Sequence, residues 1–264
     1  MSSSQVAIVT GAAMGYQSGG PSIGGANALR LAKDGFVVVV VDEGEMGART
    51  VELIREQGGE ATFMRADVAT TTGVKQIVEQ TQQRYGRLDC LVNGVSRYSP
   101  GMAKSVAEID EAEWDKTMLV NLGSYFKMCK YCIPLMLKSE QATIINISSI
   151  GAFNALPDFA VYSVSKAAIN ALTHSLAVDF APRIRANAIC PGFVRIANSE
   201  NGRTPAELTI WYADIAKQYP MQRVCEVEEI ANVVSFLASP ESSFINGQSL
   251  VVDGGKLVSD RHEF

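Results

Sequence analysis

Phe36-Val37-Val38-Val39-Val40-Val41-Asp42 is the stretch of sequence that decides the fold. Residues 36–41 are all apolar and mostly β-branched, which is typical of a buried strand. Around this stretch, short β-branched runs alternate with longer segments of helical spacing along the 264 residues. That alternation predicts a parallel sheet with helices on both faces.

Seven segments have the composition of strands, a normal number for one sheet: Val6–Thr10, Phe36–Val41, Ala61–Arg65, Cys90–Asn93, Thr143–Ile147, Ile184–Cys190 and Ser249–Val252. A first helix is expected near Gly24, where small residues recur at helical spacing and allow close approach to the sheet. Further helices are expected at Glu111–Lys138, Tyr162–Phe180, Pro205–Gln218 and Val227–Ala238. No linker or internal repeat divides the chain, so we expect one doubly wound α/β domain over residues 1–264.

Composition narrows the class of protein. A net charge of −5 disfavours nucleic acid and anionic lipid as partners, and no run approaches the ~20 apolar residues of a membrane span. The first residues lack a basic segment followed by an apolar run, so we expect no signal peptide and a cytoplasmic location. The five cysteines are an odd number in apolar surroundings. Cys129 and Cys132 form a C-x-x-C without a second pair, so we expect core thiols and no metal site.

A dinucleotide site is predicted between the first strand and the first helix. Thr10-Gly11 ends the strand, and the helix starts near Ile23-Gly24. Backbone N–H groups at a helix N-terminus can bind a pyrophosphate where no side chain obstructs them. The candidates are the glycines of this loop: Gly11, Gly15, Gly19, Gly20 and Gly24. A flexible turn without a ligand is the alternative interpretation.

The residue that closes the second strand indicates which dinucleotide binds. Asp42 can accept a hydrogen bond from the 2′-hydroxyl of the adenosine ribose, and its charge would repel a 2′-phosphate. Glu43 and Glu45 add to that repulsion, and Arg49 is the nearby base in sequence that would oppose it. NAD is therefore favoured over NADP.

Tyr162 and Lys166 supply a catalytic pair. Oxidation of an alcohol needs a base for the hydroxyl proton, and tyrosine, with a reference pKa of ~10, is rarely ionised at neutral pH. Lys166 lies four residues on, hence on the same helix face, and with an oxidised nicotinamide it can stabilise the phenolate. Lowering that pKa to near 7 takes about 4 kcal/mol. Ser148 and Ser149 are both candidates for binding the substrate oxygen.

Together these residues resemble the classical short-chain dehydrogenase/reductase family. The resemblance covers nearly the whole chain and depends on motifs in family order, which are Thr10-Gly11, Asp67-Val68, Asn93, Asn121, Ser149, Tyr162-Ser163-Val164-Ser165-Lys166, Pro191-Gly192 and Val252-Asp253-Gly254-Gly255. It implies a Rossmann-type fold and an NAD-dependent enzyme that interconverts a secondary alcohol and a ketone. It favours Ser149 over Ser148, because Ser149 lies thirteen residues before Tyr162. It implies that Asn121 holds a water molecule near Lys166 for proton relay. It also implies a homotetramer with the helices of Asn121 and Tyr162 at an interface.

The same resemblance assigns the cofactor contacts to Gly11, Ser22, Ile23, Asp42, Asp67, Val68, Asn93, Tyr162, Lys166, Pro191 and Val194.

The chain departs from the family pattern at three places. Gly11 and Gly24 are thirteen residues apart, where the family has about six, so Ser22 replaces the middle glycine and residues 15–21 form an enlarged flap. Asn93-Gly94-Val95-Ser96 replaces the usual Asn-Asn-Ala-Gly. Ile196 stands where a threonine usually contacts the nicotinamide carboxamide.

Substrate contacts are expected from three loops after strands, 96–102, 150–159 and the substrate loop 195–221. An apolar pocket is predicted from aromatic and aliphatic residues in these loops: Tyr98, Phe153, Leu156, Phe159, Trp211 and Tyr212. Trp211 and Tyr212 are equally consistent with lid or interface packing. Arg97 and Arg195 are candidates for a polar or acidic group of the substrate, which we expect to be a secondary alcohol or ketone, cyclic or sugar-like.

Three other functions are consistent with parts of the sequence. The first is an NADPH-dependent 3-ketoacyl-type reductase, which Asp42 disfavours. The second is a non-catalytic dinucleotide-sensing or scaffold protein, which the intact Ser149, Tyr162 and Lys166 disfavour. The third is an epimerase or dehydratase that retains its NAD.

Overall fold

A seven-stranded parallel sheet forms the centre of the molecule. In the computed structural model, which describes residues 4–15, 20–196, 200 and 202–259, the strand order is β3-β2-β1-β4-β5-β6-β9. The strands are β1 (Val6–Thr10), β2 (Val37–Asp42), β3 (Ala61–Arg65), β4 (Cys90–Asn93), β5 (Ala142–Ile147), β6 (Ile184–Pro191) and β9 (Ser249–Val252). All seven predicted strands are confirmed, and the predicted doubly wound fold with them, with boundaries shifted by one residue at β2, β5 and β6.

Strand β2 shows why a continuous apolar run is needed. Val37, Val39 and Val41 face one apolar cluster, which also contains residues of β1, β4 and α5 (Ser124–Met136). Val38 and Val40 face a second cluster on the opposite side, against α1 (Ile23–Lys33) and α8 (Val227–Ala238). Successive side chains of a strand point to opposite faces, so a sheet covered on both sides needs apolar residues at every position.

Eight α-helices occur in the described part of the chain. Besides α1, α5 and α8 they are α2 (Gly47–Glu56), α3 (Thr71–Tyr85), α4 (Glu111–Met118), α6 (Ala160–Phe180) and α7 (Pro205–Ala216). Helices α2 and α3 were not among the predicted helices. Each buries only three or four residues, such as Val74, Ile77 and Thr81 of α3, which gives a weak apolar period.

The predicted helix Glu111–Lys138 is divided into two. Helices α4 and α5 are joined by a π-helical turn, Leu119–Gly123, with Asn121 buried in it. A π turn inserts one extra residue per turn and often occurs at functional sites. Its position places the Asn121 backbone and side chain beside α6.

A second, two-stranded sheet borders the predicted substrate loop. Strand β7 (Val194–Arg195) pairs with β8 (Cys225–Glu226). These two-residue strands were too short to predict from composition. Their pairing brings the two ends of the substrate loop 195–221 together, although residues 197–199 and 201 of that loop lie outside the described residues.

Within the described residues, no helix is long and apolar enough to cross a membrane.

Candidate active site

Three glycines form a close-packed crevice where the strand order reverses, between β1 and β4. Gly11 has a φ of +66°, and a Cβ on Gly24 would lie 2.2 Å from the Gly11 carbonyl oxygen. A Cβ on Gly94 would lie 2.8 Å from the Thr10 carbonyl oxygen. No larger residue fits at Gly24 or Gly94 without backbone movement. The departure Asn93-Gly94 is therefore explained by the approach of the β4 loop to β1.

Ser22 replaces the middle glycine of the family loop by capping α1. Its hydroxyl accepts a hydrogen bond from the Gly25 N–H at 2.9 Å and donates to the Gly11 carbonyl at 3.4 Å. A serine at this position satisfies one of the free N–H groups of the helix terminus. Ile23 follows as the first helical residue, half-buried against the core.

The base of the enlarged flap is fixed to the rest of the crevice. Met14 and Pro21 form an antiparallel bridge, and the Gly15 N–H donates to the Gly20 carbonyl at 2.8 Å. Thr50 of α2, which is fully buried, donates to the Ala12 carbonyl at 2.7 Å. Residues 16–19 of the flap, among them the candidate Gly19, lie outside the described residues.

Asp42 lies at the carboxyl end of β2, beside the crevice. Its carboxylate accepts hydrogen bonds from the Ala13 N–H at 3.1 Å and the Gly44 N–H at 2.9 Å. Arg49, the base considered from the sequence, is bonded instead to Glu52 and Glu56 on the surface of α2.

The structure brings a different base next to Asp42. Arg65 of β3 is the register partner of Asp42, and it donates to the Glu43 carbonyl and to the Glu45 carboxylate, both at 2.9 Å. Arg65 is distant from Asp42 in the sequence, and the pairing of β2 with β3 places it there, so it was not predicted. The acidic Glu45 neutralises much of its charge.

The other predicted cofactor residues fall into two groups. Asp67, Val68, Pro191 and Val194 lie at or just after the carboxyl ends of β3 and β6, at the same edge of the sheet as Gly11. Asn93 is different, because its side chain is buried inside the sheet and donates to the Asn146 Oδ1 at 2.9 Å. Its amide ties β4 to β5. Ile196, in the place of the family threonine, packs against the apolar cluster around α8.

The geometry separates the two candidate serines. Ser148 is buried and donates to the Lys166 carbonyl at 3.0 Å. Ser149 accepts from the Gly151 N–H at 3.0 Å, and its side chain lies close enough to the Tyr162 phenol to lower the pKa of that group. Only Ser149 is thus placed beside the Tyr162 hydroxyl.

Lys166 is a buried cation one helical turn after Tyr162. Its side chain is among the largest that are fully buried, and its Nζ donates to the Ile147 carbonyl at 3.1 Å. The Nζ lies 5.6 Å from the centre of the Tyr162 ring and 5.8 Å from that of Tyr125. Burial lowers the pKa of Lys166 to about 8, because the ammonium loses hydration.

The pKa of Tyr162 differs from the sequence-based expectation. Burial raises it above the usual ~10, and the hydrogen bond from Ser149 opposes this only in part. Burial thus opposes ionisation of this phenol in the protein without a ligand. A positive charge bound next to it would lower its pKa.

Asn121 connects the β4 loop to the helix of Tyr162. Its Oδ1 accepts from the Arg97 N–H at 2.7 Å, and its Nδ2 donates to the Ser165 hydroxyl at 3.3 Å. Ser165 in turn donates to the Tyr162 carbonyl at 2.7 Å. Ser165 belongs to the Tyr162–Lys166 motif, but the sequence analysis assigned it no role.

Tyr125 is a further residue that the sequence analysis missed. It is fully buried, and its hydroxyl donates to the Ile147 carbonyl at 2.9 Å. Lys166 uses the same carbonyl oxygen. The phenol and the ammonium therefore share one acceptor. Tyr125 lies four residues after Asn121, in a helix whose sequence predicts only core packing. Its contact with Lys166 depends on how α5 and α6 pack, which the local sequence does not indicate.

No cluster of three or more possible metal ligands occurs among His, Cys, Asp and Glu side chains of the described residues. All five cysteines lie within that part of the chain, and four of them are buried.

Comparison with known proteins identifies the family. A family model described as enoyl-(acyl carrier protein) reductase matches residues 19–256. An uncharacterized oxidoreductase of Thermotoga maritima is 38% identical over 257 residues, covering 95% of this chain and 96% of the relative. A 3beta-hydroxysteroid dehydrogenase of Mediterraneibacter gnavus is 34% identical over 271 residues, covering 95% and 94%.

Among solved structures, ligand-free aldohexose dehydrogenase of Thermoplasma acidophilum matches with a TM-score of 0.86 and 31% identity. The match covers 99% of this chain and 97% of that one. The chain belongs to the classical short-chain dehydrogenase/reductase family and is an oxidoreductase that uses a nicotinamide dinucleotide.

The carbonyl shared by Tyr125 and Lys166 leads to a pH prediction. In Tyr125→Phe the ammonium no longer shares the Ile147 oxygen, so its hydrogen bond strengthens and the charged form is favoured. We expect the pKa of Lys166 to rise above about 8. The alkaline limb of kcat/KM for alcohol oxidation should move to higher pH by about half a unit or more.

Tyr85→Phe is the matched control. It also removes a tyrosine hydroxyl, but this one lies at the end of α3 and is bonded to Thr62 of β3 at 2.8 Å, not to the Ile147 carbonyl. It should leave the limb unchanged. A Tyr125→Phe enzyme of normal stability with an unshifted limb would contradict the role of the shared carbonyl.

Proposed function

We propose that this protein interconverts a secondary alcohol and its ketone with NAD, using Tyr162 as the acid/base. The observation that carries the proposal is the placement of Ser149, Tyr162 and Lys166 together, at the carboxyl edge of the sheet beside the glycine crevice. We treat residues 1–264 as one catalytic unit, with 195–221 as its substrate loop. The free, mostly buried thiols support a cytoplasmic location.

Each catalytic residue has a separate task. Tyr162 takes the hydroxyl proton during oxidation and returns it during reduction. Ser149 donates a hydrogen bond to the substrate oxygen. Lys166 stays charged below about pH 8 and stabilises the phenolate. Since the Asn121 side chain is engaged with Arg97 and Ser165, we assign the proton-relay water to the Asn121 main chain.

The residues present fit a dinucleotide. Side chains are absent where the backbones of Gly11, Gly24 and Gly94 meet, and Ser22 starts a helix whose N-terminus favours a pyrophosphate. When bound, the nicotinamide supplies the hydride acceptor or donor. Gly11, Ser22 and Ile23 would hold the phosphates, Asp42, Asp67 and Val68 the adenosine, and Pro191 and Val194 the nicotinamide end. The burial of Asn93 supports only an indirect role for it.

The charges around Asp42 favour NAD. Asp42, Glu43 and Glu45 outnumber Arg65, which is already bonded to Glu45. A 2′-phosphate placed there would meet net negative charge. This arrangement also disfavours the alternative function, an NADPH-dependent ketoacyl-type reductase. The description of the family model, which names an acyl carrier protein reductase, is closer to that alternative than to an alcohol dehydrogenase.

The cofactor preference is tested by titration of the protein with NADH and NADPH separately. We expect NADH to bind at least tenfold more tightly, and Asp42→Ala to reduce that ratio because a carboxylate acceptor and its charge are lost. Glu60→Ala, which removes an exposed acid at the opposite end of β3, is the control. Tighter binding of NADPH to the unchanged protein would refute the cofactor assignment.

Removal of the Tyr162 hydroxyl tests the mechanism. Tyr162→Phe should lower alcohol turnover at least a thousandfold while leaving NADH binding within about threefold, because the proton acceptor is lost but the crevice is intact. NADH absorbance and NADH fluorescence measure the two quantities. Turnover at the wild-type rate would rule out Tyr162 as the acid/base. Cofactor binding without turnover in the unchanged protein would favour the dinucleotide-sensing alternative.

We also propose a homotetramer that uses the helices of Asn121 and Tyr162. Large apolar side chains are half-exposed on both elements, namely Leu119 and Phe126 on the π turn and α5, and Val164 on α6. Exposed apolar groups grouped in this way are typical of an interface.

Phe126→Lys should therefore reduce the mass measured by light scattering below that of four chains, because an ammonium would have to be buried. Val106→Lys, at an exposed loop position, is the control and should keep the mass of the unchanged protein. An unchanged protein with the mass of one chain would contradict the proposal.

A further inference from the structure

Four large apolar side chains lie on the two segments that adjoin the catalytic residues, the loop after β4 and the segment before Tyr162. We call Tyr98, Phe153, Leu156 and Phe159 the apolar rim. Tyr98 is 70% exposed, Phe153 53% and Leu156 45%. The Tyr98 ring stacks on Phe159, with centroids 5.8 Å apart and planes 21° from parallel. Large exposed apolar groups that are grouped in this way are typical of a binding site, whereas single ones are not.

The rim is attached directly to the catalytic residues. Phe153, Leu156 and Phe159 all lie on the segment that joins Ser149 to Tyr162. Gly151 of that segment lies against the Tyr162 ring, and a Cβ there would be 3.3 Å from its Cε1. Tyr98 follows Arg97, whose N–H is bonded to Asn121. The rim is therefore the apolar surface that these two segments offer to a substrate whose oxygen is near Tyr162.

The arginines next to the rim are paired with carboxylates. Arg97 is bonded to Glu113 through both terminal nitrogens, and also to Thr117 at 3.2 Å. Because the Glu113 carboxylate accepts hydrogen bonds from Arg97 and Ser99, its pKa lies below the usual range. At the other side, Arg195 is bonded to Glu200 at 3.0 Å and approaches Glu226 at 3.8 Å. The sequence-based interpretation of these arginines as substrate contacts is therefore not supported by their geometry.

The exposed charges at the rim also cancel. Lys104 pairs with Phe159 through a backbone bridge, and Asp158 precedes Phe159, so one cationic and one anionic residue adjoin the main chain of Phe159. An anionic substrate would meet no net positive charge among these described groups. The rim offers a polyhydroxylated substrate a single side-chain hydroxyl, that of Tyr98, and otherwise aromatic and aliphatic carbon, so it would gain little from its additional hydroxyls.

From this arrangement we infer that the substrate is an uncharged secondary alcohol or ketone on a rigid apolar ring system, rather than a sugar, a carboxylate or a phosphorylated compound. The inference rests on the proposed function. The carbinol carbon lies at Ser149 and Tyr162, and the remaining rings cover Phe153 and stack on Tyr98. Flat or alicyclic rings suit this site because they contact aromatic faces with little loss of conformational freedom.

A panel of four ring alcohols tests this substrate class with NAD and NADH absorbance: 2-decalol, cyclohexanol, myo-inositol and 4-hydroxycyclohexanecarboxylate. Each buried methylene group adds about fourfold to binding. We expect kcat/KM for 2-decalol to exceed that for cyclohexanol at least tenfold, and both to exceed that for the polyol and the carboxylate. A preference for myo-inositol or for the carboxylate would overturn the inference while leaving the proposed function intact.

Two variants locate the effect. Tyr98→Ser should raise KM for 2-decalol about tenfold and change kcat/KM for cyclohexanol less than twofold, because only the larger substrate reaches Tyr98. Phe244→Ser removes a fully exposed aromatic ring from the loop before β9 and should leave both values unchanged. Equal effects of Tyr98→Ser on both substrates would contradict the placement of the rings.

Failure of the proposed function would show itself differently. If no alcohol of the panel is turned over, the proposed function is contradicted, and calorimetry with 2-decalone then decides the inference. Binding that is lost in Tyr98→Ser would support the apolar site on a protein without this activity. No binding of 2-decalone would overturn it.

Discussion

The site depends on the burial of one positive charge, the ammonium of Lys166. A cation in the protein interior loses its hydration and has to be compensated by hydrogen bonds and by its environment. Here the Ile147 carbonyl at the end of β5 accepts from the Nζ, and two tyrosine rings lie within 6 Å of it. Ser148 fixes the main chain of Lys166 itself. The Ile147 carbonyl at the end of β5 thus accepts from Lys166 of α6 and from Tyr125 at the start of α5, and it connects these three elements.

The crevice for the dinucleotide imposes a second constraint, which is steric. The backbones of β1, α1 and the β4 loop meet at distances that exclude a Cβ at Gly24 and Gly94. This contact lies where the strand order reverses, and there the helices after β1 and β4 cover opposite faces and leave an opening. The enlarged flap does not disturb the contact, because its base is closed by the Met14–Pro21 bridge and by Ser22. An insertion is tolerated here because the Met14–Pro21 bridge brings its two ends together beside the glycine contact.

The sequence predicts the parts of this arrangement that depend on burial and on local spacing. The five inner strands are found because they are buried on both faces, and β2 with its five valines is the clearest case. The edge strands β3 and β9 are less buried and are found from their short apolar runs. Tyr162 and Lys166 are found because a four-residue spacing places them on one helix face. The π turn, the β7–β8 pair, Arg65 beside Asp42 and Tyr125 beside Lys166 were not predicted. Each results from strand register or from helix packing between segments far apart in sequence, for which local periodicity carries no signal.

Charge pairing divides the crevice into regions with different tasks. At the adenosine end, Arg65 is bonded to Glu45, and at the substrate end, Arg97 is bonded to Glu113. Lys166 differs from both arginines, because its Nζ donates to a neutral backbone carbonyl and not to a carboxylate. Coulomb interactions are stronger in a buried environment than at an exposed one, and the Lys166 Nζ lies 5.6 Å from the centre of the Tyr162 ring. In the proposed mechanism this charge stabilises the Tyr162 phenolate, while the paired arginines add little net charge around it.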